Sequence, residues 1–413
     1  MKSIFIVLFL ISRSSSKSPF DKLLVVSYDG FRYDYLDREL TPYMYSLKSS
    51  SSFAKHVINV FPTQTFVNHF SIATGLYSET HGVIGNTVFN SKTGKLMRYG
   101  HELFHYNNDI TPIWTLNQKA GQGRHSGVMM WPGSQFPYSN IVPTFINVFD
   151  RGTAWENRIS TVMSWFLHPK SPANLVMMYI EEPDDEEHTS GPGSSQTRER
   201  LRRVDKITEH LFKSLKNNSL TDVNVVLLSD HGMEGVTLDR MIDLTKFVGD
   251  KAAMYGTSPV LHIYPNKGQS IVDIYSKLNE AAARNKHFKV YLKESIPEHF
   301  HIKDCQRTAP IIAVAEPTYA FQDYYGAIDW QINNKGAPRN GTYGIHGYDP
   351  QTINMRPYFM AHGPKFKENF NAGELRIIDM YPLFANILQL ELPSIKPNGT
   401  LAGIQTILKP RNK

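Results

Sequence analysis

The sequence predicts an α/β fold in which helices flank both faces of a doubly wound sheet, with a smaller inserted lobe. Two apolar runs, LVMMYI at 175–180 and VNVVLL at 223–228, have the length and composition of buried strands in a parallel sheet. A helical pattern near 197–216 separates them. Strands that alternate with helices in this way are typical of a doubly wound sheet.

The other elements of the main domain follow the same pattern. The first strand is predicted at 23–28 and ends at Asp29-Gly30, where a glycine lets the backbone turn tightly next to a ligand. Four further elements are predicted: a helix over 63–74, strands over 125–131 and 357–363, and a helix over 377–388.

Three β-type segments within 240–335 predict a second, smaller lobe. They lie at 259–264, 288–292 and 310–315. The 413 residues leave room for two or three domains. We predict one catalytic domain over 18–410 that includes the lobe, because the candidate ligands described below extend along most of the chain and must converge.

Residues 1–17 are predicted to be a secretory signal peptide. Lys2 supplies a positive charge, residues 4–11 are apolar, and small serines follow. The alternative is a buried N-terminal strand. Because no later apolar run reaches about 18 residues and the final ILKPRNK lacks the tail of a lipid-anchor signal, we expect a secreted protein without a membrane anchor.

The chain has one cysteine, Cys305, so an internal disulfide is impossible. A buried structural thiol is favoured over a free or intermolecular one. Three sequons fit glycosylation in a secretory compartment, and they lie at Asn217, Asn340 and Asn398.

Lys and Arg together number 44 against 38 Asp and Glu, an excess of positive charge that suits an anionic substrate. No lysine-arginine block or zinc-knuckle spacing indicates a nucleic-acid-binding module. The densest basic run, RERLRR at 198–203, is interpreted as the solvated face of a helix.

Six residues are candidate metal ligands. Five of them follow predicted strands, namely Asp29, Asp184, His188, Asp230 and His231, and the sixth, His346, lies late in the chain in the run GIHGYD. Carboxylate and imidazole groups at the carboxyl ends of parallel strands suit a catalytic divalent-metal site, and the mixture favours zinc. Two ions about 4 Å apart can clamp the attacking and leaving oxygens of a phosphate ester. A two-metal site is therefore the leading hypothesis.

A nucleophile is predicted in the run FPTQTFVNHF, where Thr63 and Thr65 lie at the expected start of a helix. A hydroxyl there benefits from free backbone N–H groups and from the positive end of the helix dipole. The alternative is that both residues are N-cap threonines. Spacing alone does not choose between the two hydroxyls.

The chain resembles the ectonucleotide pyrophosphatase/phosphodiesterase family over roughly 22–390, in the ordered runs YDGFR, FPTQTFVNHFSIATGLYSETHGVIGN, WPGS, EEPDDEEHTSGP, SDHGM and HGYDP. It is most similar to the short members, which lack somatomedin-like and nuclease-like domains. The resemblance implies an alkaline-phosphatase-like fold, two zinc ions and a threonine nucleophile.

Matching motifs imply a role for each site residue. Thr65 would be the nucleophile. One zinc would be held by Asp29, Thr65, Asp230 and His231, and the other by Asp184, His188 and His346. Asn86 would donate to a nonbridging phosphoryl oxygen. Phe66 and Phe149 would flank a nucleobase, with core packing as the alternative for both phenylalanines.

The chain departs from the family at Gln64, where lysine is usual, and at Val67, where proline is usual. Neither residue supplies a metal ligand, so these differences bear on substrate affinity. The family's usual cysteines are largely absent, and the membrane tail of the most similar members is missing, which points to a secreted form.

The resulting expectation is a secreted two-zinc enzyme that cleaves phosphodiester or phosphoanhydride bonds of extracellular nucleotides or dinucleoside polyphosphates through a threonine-bound intermediate and releases nucleoside 5′-monophosphates. Diesters are expected over monoesters because the FPTQTF and SDHG runs contain no arginine to hold a second charge, although Arg32 could approach. A sulfatase is disfavoured because Cys305 lacks the C/S-x-P-x-R context. A choline or lysophospholipid phosphodiesterase and a catalytically silent secreted binding protein remain alternatives.

Overall fold

The computed structural model describes residues 18–36 and 39–410. The predicted signal peptide at 1–17 lies outside the described residues. Within the part of the chain that is described, no helix combines the length and the apolar character needed to cross a bilayer.

The described residues form twenty strands and twelve α-helices. The strands are β1 (Lys22–Tyr28), β2 (Ser51–Phe53), β3 (His56–Ile58), β4 (Val88–Asn90), β5 (Lys95–Met97), β6 (Ser126–Met129), β7 (Phe145–Asn147), β8 (Leu175–Ile180), β9 (Val223–Leu228), β10 (Glu234–Val236), β11 (Met241–Ile242), β12 (Ala252–Thr257), β13 (Val260–Pro265), β14 (Phe288–Leu292), β15 (Ile311–Ala315), β16 (Ala320–Phe321), β17 (Tyr343–Ile345), β18 (Phe359–His362), β19 (Phe370–Asn371) and β20 (Glu374–Arg376). The helices are α1 (Pro42–Leu47), α2 (Thr65–Thr74), α3 (Ser78–His81), α4 (His101–Phe104), α5 (Ile113–Lys119), α6 (Trp155–Phe166), α7 (Asp184–Ser190), α8 (Ser195–Asn217), α9 (Thr245–Val248), α10 (Ile271–Asn285), α11 (Tyr324–Lys335) and α12 (Met380–Ile387).

An eight-stranded sheet forms the centre of the molecule, in the order β19-β2-β18-β9-β1-β8-β6-β7. The five strands from β9 to β7 in this order are parallel. The two apolar runs of the sequence are therefore neighbours of the first strand on either side, with Leu23 opposite both Leu175 and Asn224. The predicted doubly wound α/β fold is confirmed.

Both faces of this sheet are buried, and alternate residues of β1 point to opposite cores. Leu23 and Val25 pack with helices α2, α5 and α12, whereas Leu24 and Val26 pack with α6 and α8. A strand that is buried on both faces needs apolar side chains at nearly every position, which explains the composition of β1, β8 and β9.

One feature of the sheet differs from an all-parallel prediction. The predicted final strand, observed as β18, runs antiparallel to β9, with Phe359 opposite Leu228. The chain reaches β18 from the segment that packs at the carboxyl edge of the sheet, where the Gly232 N–H donates to the Met355 carbonyl at 2.9 Å. A strand that starts at that edge must run back against its neighbours, so the sheet is mixed.

A second sheet, in the order β12-β13-β15-β14, has its own apolar core with α9, α10 and α11. Three of its strands, β13, β14 and β15, lie at the three predicted β segments. The fourth strand, β12, is not predicted by the sequence pattern. The limits of the proposed domain and of its lobe stay predictions.

Three smaller expectations also have structural counterparts. Cys305 is a free, fully buried thiol in the main core, and burial raises its pKa, so the expectation of a buried thiol is confirmed. Helix α8 buries Leu201 and Val204 while Arg198 and Arg202 are exposed, which confirms the basic run as a solvated helix face. All three sequon asparagines are exposed.

Candidate active site

Three carboxylates gather at the carboxyl edge of the parallel strands. Asp29 directly follows β1, Asp184 begins α7 after β8, and Asp230 lies two residues beyond β9. The turn at Gly30 makes this approach possible, because its φ is +70° and a Cβ at this position would lie 2.9 Å from Cβ of Asp184. The Gly30 N–H also donates to Oδ1 of Asp230 at 3.2 Å.

Three histidines complete the cluster. His231 follows Asp230, and β10, which begins three residues later, pairs with β17 so that His346 emerges beside it. The rings of His231 and His346 stack with centroids 3.6 Å apart. His188 lies one helical turn after Asp184, with its Nε2 3.2 Å from Nε2 of His346. All six predicted ligands are therefore neighbours in space.

The ligand atoms fall into two groups in which all members lie within 4.8 Å of one another. The groups are Asp29, Asp230 and His231, and Asp184, His231 and His346. His231 lies between the two groups, and His188 adjoins the second, with its Nε2 3.4 Å from Oδ1 of Asp184.

Each histidine has one ring nitrogen held by a backbone carbonyl. The Nδ1 pairs are His188 with Gly344 at 2.7 Å, His231 with Gly232 at 2.9 Å, and His346 with Thr63 at 2.9 Å. Since a carbonyl only accepts, each Nδ1 carries the hydrogen and each Nε2 keeps its lone pair. This tautomer is the one a histidine uses to bind a metal through Nε2.

The carboxylates are left with buried oxygens that have no hydrogen-bond partner among the described residues. These atoms are Oδ1 of Asp29, Oδ1 of Asp184 and Oδ2 of Asp230. Burial raises the pKa of Asp29 and Asp184 well above the usual range, and repulsion from the neighbouring carboxylates raises both further. Burial acts in the same direction on Asp230, but His231 and His69 outweigh it and lower its pKa.

The histidines contribute little compensating positive charge, since burial lowers the pKa of His188 to about 4 and that of His346 well below its usual value. The neutral imidazoles of His188 and His346, beside two buried carboxylates and a partly buried one, form a site that a divalent cation would stabilise. The donor set of oxygens and imidazole nitrogens matches zinc.

The two threonines left open by the sequence have different environments. Thr63 Oγ1 donates to the carbonyl of Tyr348 at 2.9 Å and accepts from the N–H of Gly347 at 3.0 Å, so it is occupied by the backbone. Thr65 Oγ1 lies 3.3 Å from Nε2 of His231, inside the ligand cluster. Helix α2 begins at Thr65 and not at residue 63, because Gln64 has an extended backbone.

Asn86 lies beside this helix start. Its Oδ1 accepts from the N–H of Phe66 at 2.9 Å, so the side-chain NH₂ group points away from that N–H. Asn86 and Thr65 line the same cleft, which has a volume of about 620 Å³. Two larger clefts, of about 830 and 860 Å³, contain none of the candidate ligands.

Aromatic side chains line the cleft next to the cluster. Phe149 is 43% exposed, so core packing does not explain it. Phe66 is partly buried and packs against Tyr99, with ring centroids 5.1 Å apart. Phe66, Tyr99 and Phe149 all border the cleft, and Tyr179 lies between Phe149 and the carboxylates.

Sequence reasoning missed several residues of this site. His69 is buried one turn after Thr65, with Nδ1 2.8 Å from the Thr65 carbonyl and 3.2 Å from Oδ2 of Asp230; its spacing of four from Thr65 was a usable signal. The Tyr179 hydroxyl donates to Oδ2 of Asp29 at 2.6 Å. Its position within an apolar strand gave no such signal.

The arginine nearest the cleft is also unexpected. Arg32, which the sequence offered, pairs with Asp34 at 2.7 Å and does not border the cleft. Arg151 does border it, held by Asp185 at 2.5 Å with its guanidinium 5.7 Å from the Phe149 ring. It therefore lies on the aromatic side of the cleft.

Comparison with known proteins shows the family of the chain. Residues 23–349 match the family model for type I phosphodiesterase/nucleotide pyrophosphatase. Human ectonucleotide pyrophosphatase/phosphodiesterase family member 5 is 34% identical over 393 residues, which are 94% of this chain and 78% of that protein. The bis(5′-adenosyl)-triphosphatase of Mus musculus is 34% identical over 404 residues, 96% of this chain and 83% of that protein.

Solved structures of members of this family are also similar to the chain. Murine ectonucleotide pyrophosphatase/phosphodiesterase 5 has a TM-score of 0.84 and 34% identity, covering 94% of this chain and 100% of that one. An inactive threonine-to-alanine variant of it, solved in complex with AMP, also has a TM-score of 0.84, with 33% identity and the same coverage of both chains. The resemblance stated from the sequence is confirmed: the chain belongs to the type I phosphodiesterase/nucleotide pyrophosphatase family.

Proposed function

We propose that the protein is a secreted, zinc-dependent nucleotide pyrophosphatase/phosphodiesterase that releases nucleoside 5′-monophosphates from extracellular nucleotides or dinucleoside polyphosphates. The observation that carries this proposal is the position of the Thr65 hydroxyl, at a helix start and 3.3 Å from His231 Nε2. One relative is a bis(5′-adenosyl)-triphosphatase, and another binds AMP when a threonine is replaced by alanine.

Two zinc ions fit the residues present. Asp29, Thr65, Asp230 and His231 would hold one ion, and Asp184, His188 and His346 the other. Three orphaned carboxylate oxygens and three Nε2 lone pairs support this assignment. Such ions supply acidity to a hydroxyl and neutralise charge on the attacking and leaving oxygens of a phosphoryl group.

The chain's own residues account for the remaining chemistry. Thr65 Oγ1, having lost its proton, forms a bond to phosphorus while the bond to the leaving-group oxygen breaks. The Asn86 NH₂ group donates to a nonbridging oxygen as charge builds there. Water then cleaves the bond between phosphorus and Thr65, which frees the nucleoside 5′-monophosphate and restores the hydroxyl.

The side chains that line the cleft favour a nucleotide as the part of the substrate that becomes bonded to Thr65. Phe66 and Phe149 offer ring faces for a nucleobase beside the reacting centre. Ring faces also attract the quaternary ammonium group of a choline ester through cation–π interactions, so the rings alone do not separate the two substrate classes. Substrate class is tested directly below.

The first prediction concerns the metals. Elemental analysis of active protein is expected to find two zinc ions per chain. A chelator is expected to abolish turnover and to lower the melting temperature, because without the cations the negative charges of the three clustered carboxylates are no longer neutralised. Added zinc is expected to reverse both effects. Active protein with one metal ion or none would refute the two-zinc proposal.

The second prediction separates the two threonines. Thr65→Ala is expected to lower kcat by at least about a thousandfold while zinc content stays at the wild-type level. Thr65→Ser keeps a hydroxyl and is expected to retain measurable turnover. Thr63→Ala is the matched control: it removes two hydrogen bonds to the 347–348 backbone and is expected to lower stability by about 1–2 kcal/mol without abolishing turnover. An inactive Thr63→Ala beside an active Thr65→Ala would reverse the assignment.

The third prediction concerns the substrate. The value of kcat/KM for a p-nitrophenyl ester of thymidine 5′-monophosphate is expected to exceed that for p-nitrophenyl phosphate by at least about tenfold, which corresponds to roughly 1.4 kcal/mol. A monoester dianion carries a second negative charge. The Asn86 amide beside Thr65 is uncharged, and Arg151, the arginine that borders the cleft, is paired with Asp185 on the aromatic side, so no free cation near Thr65 holds that second charge. A preference for the monoester contradicts the proposal, and a preference for p-nitrophenyl phosphocholine assigns the protein to the choline and lysophospholipid alternative.

The fourth prediction concerns secretion. It rests on the sequence pattern of residues 1–17 and on the exposure of Asn217, Asn340 and Asn398. The chain recovered from the medium of expressing eukaryotic cells is expected to begin after residue 17 and to lose mass on enzymatic removal of N-linked glycans. Replacement of all three asparagines by glutamine serves as the control. A chain that keeps Met1 and remains inside the cells contradicts this part of the proposal.

A further inference from the structure

Gln64 connects three parts of the molecule through one buried side-chain amide. It is the residue before Thr65 and is only 3% exposed. Its Oε1 accepts from the backbone N–H of Asn86 at 2.9 Å, and its Nε2 donates to the carbonyl of Thr257 at 3.2 Å. Thr257 is the last residue of β12 in the second sheet, so the amide bridges the start of α2, the Asn86 segment and the lobe.

Asn86 is held at two points as a consequence. Its backbone N–H is fixed by Gln64, and its Oδ1 accepts from the N–H of Phe66. The side-chain NH₂ of Asn86 has no hydrogen-bond partner among the residues that the structure describes, and Asn86 borders the cleft together with Thr65. The direction of this NH₂ group is therefore set by contacts that Gln64 and Phe66 make.

We propose that Gln64 is a positioning residue that holds the Asn86 NH₂ group against a nonbridging oxygen of the reacting phosphoryl group. The proposal rests on the proposed function for the location of that group. Glutamine suits this position because its amide accepts and donates at once. Lysine has no acceptor, and methionine retains the length of the side chain without either strong hydrogen bond, so neither can hold the Asn86 N–H.

A double-mutant cycle tests whether Gln64 acts through Asn86. We expect Gln64→Met to lower kcat/KM for the thymidine ester by about tenfold in the wild-type background and by less than about twofold in the Asn86→Ala background. Equal factors in the two backgrounds, or no loss in the wild-type background, would overturn the proposal. A merely structural role for Gln64 predicts the equal factors.

The cycle needs controls for folding. Zinc content and melting temperature are measured for every variant, and Gln64→Leu, which also lacks both hydrogen bonds and adds no charge, provides a second variant with the same expected loss if Gln64→Met folds poorly. Gln322→Met is the matched control. Gln322 lies within the lobe, and its side-chain amide also accepts from a backbone N–H, that of Leu244 at 3.0 Å, but it does not border the cleft. It is expected to leave kcat/KM within about twofold of wild type.

Binding of AMP, measured by titration calorimetry in the same variants, distinguishes failure of this proposal from failure of the proposed function. We expect Gln64→Met and Asn86→Ala to weaken AMP binding non-additively. If the wild-type protein binds AMP in this Gln64-dependent way but does not hydrolyse the thymidine ester, the proposed function fails and the positioning role stands. If the ester is hydrolysed while neither readout responds to Gln64→Met, only the positioning role fails.

Discussion

The constraint that shapes the site is the mutual repulsion of three carboxylates at one edge of the central sheet, where Asp29 and Asp230 are fully buried and Asp184 is partly exposed. Asp29, Asp184 and Asp230 each retain an oxygen without a hydrogen-bond partner among the described residues. Burial and mutual repulsion raise the pKa of the first two, so in the absence of a cation they would take up protons. Surrounding groups reduce this repulsion in part: Tyr179 donates to Asp29, and His69 lies against Asp230. Two divalent ions would reduce it far more, and they would also make the neighbouring Thr65 hydroxyl acidic.

The fold explains how such an unfavourable arrangement is assembled. Parallel strands deliver their carboxyl ends to one edge, so residues that follow β1, β8 and β9 meet there without long loops. The small β10–β17 pair then carries His346 to His231, and three backbone carbonyls fix the histidine rings with Nε2 directed inward. The second sheet adds a constraint from outside the main core, since Thr257 reaches the start of α2 through Gln64.

Much of this could be predicted from the sequence, for identifiable reasons. Buried parallel strands have a strong compositional signal, and ligands that directly follow them inherit a known position, as for Asp29 and Asp230. The choice between Thr63 and Thr65 could not be made from spacing, because it depends on the backbone at 347–348, which is distant in sequence. The antiparallel direction of β18 and the arrival of Tyr99 and Arg151 at the cleft are also tertiary outcomes, since no local pattern fixes which surface a loop will face. The role inferred for Gln64 depends on Asn86 and Thr257 and has the same origin.

Anomalous diffraction at the zinc absorption edge, from crystals of the protein purified without added chelator, tests the central claim most directly. The account predicts two anomalous peaks at the carboxyl edge of the sheet. One peak should lie among Asp29, Asp230 and His231, and the other among Asp184, His188 and His346. Crystals of active protein in which these carboxylates surround only water, or a single ion, would contradict it.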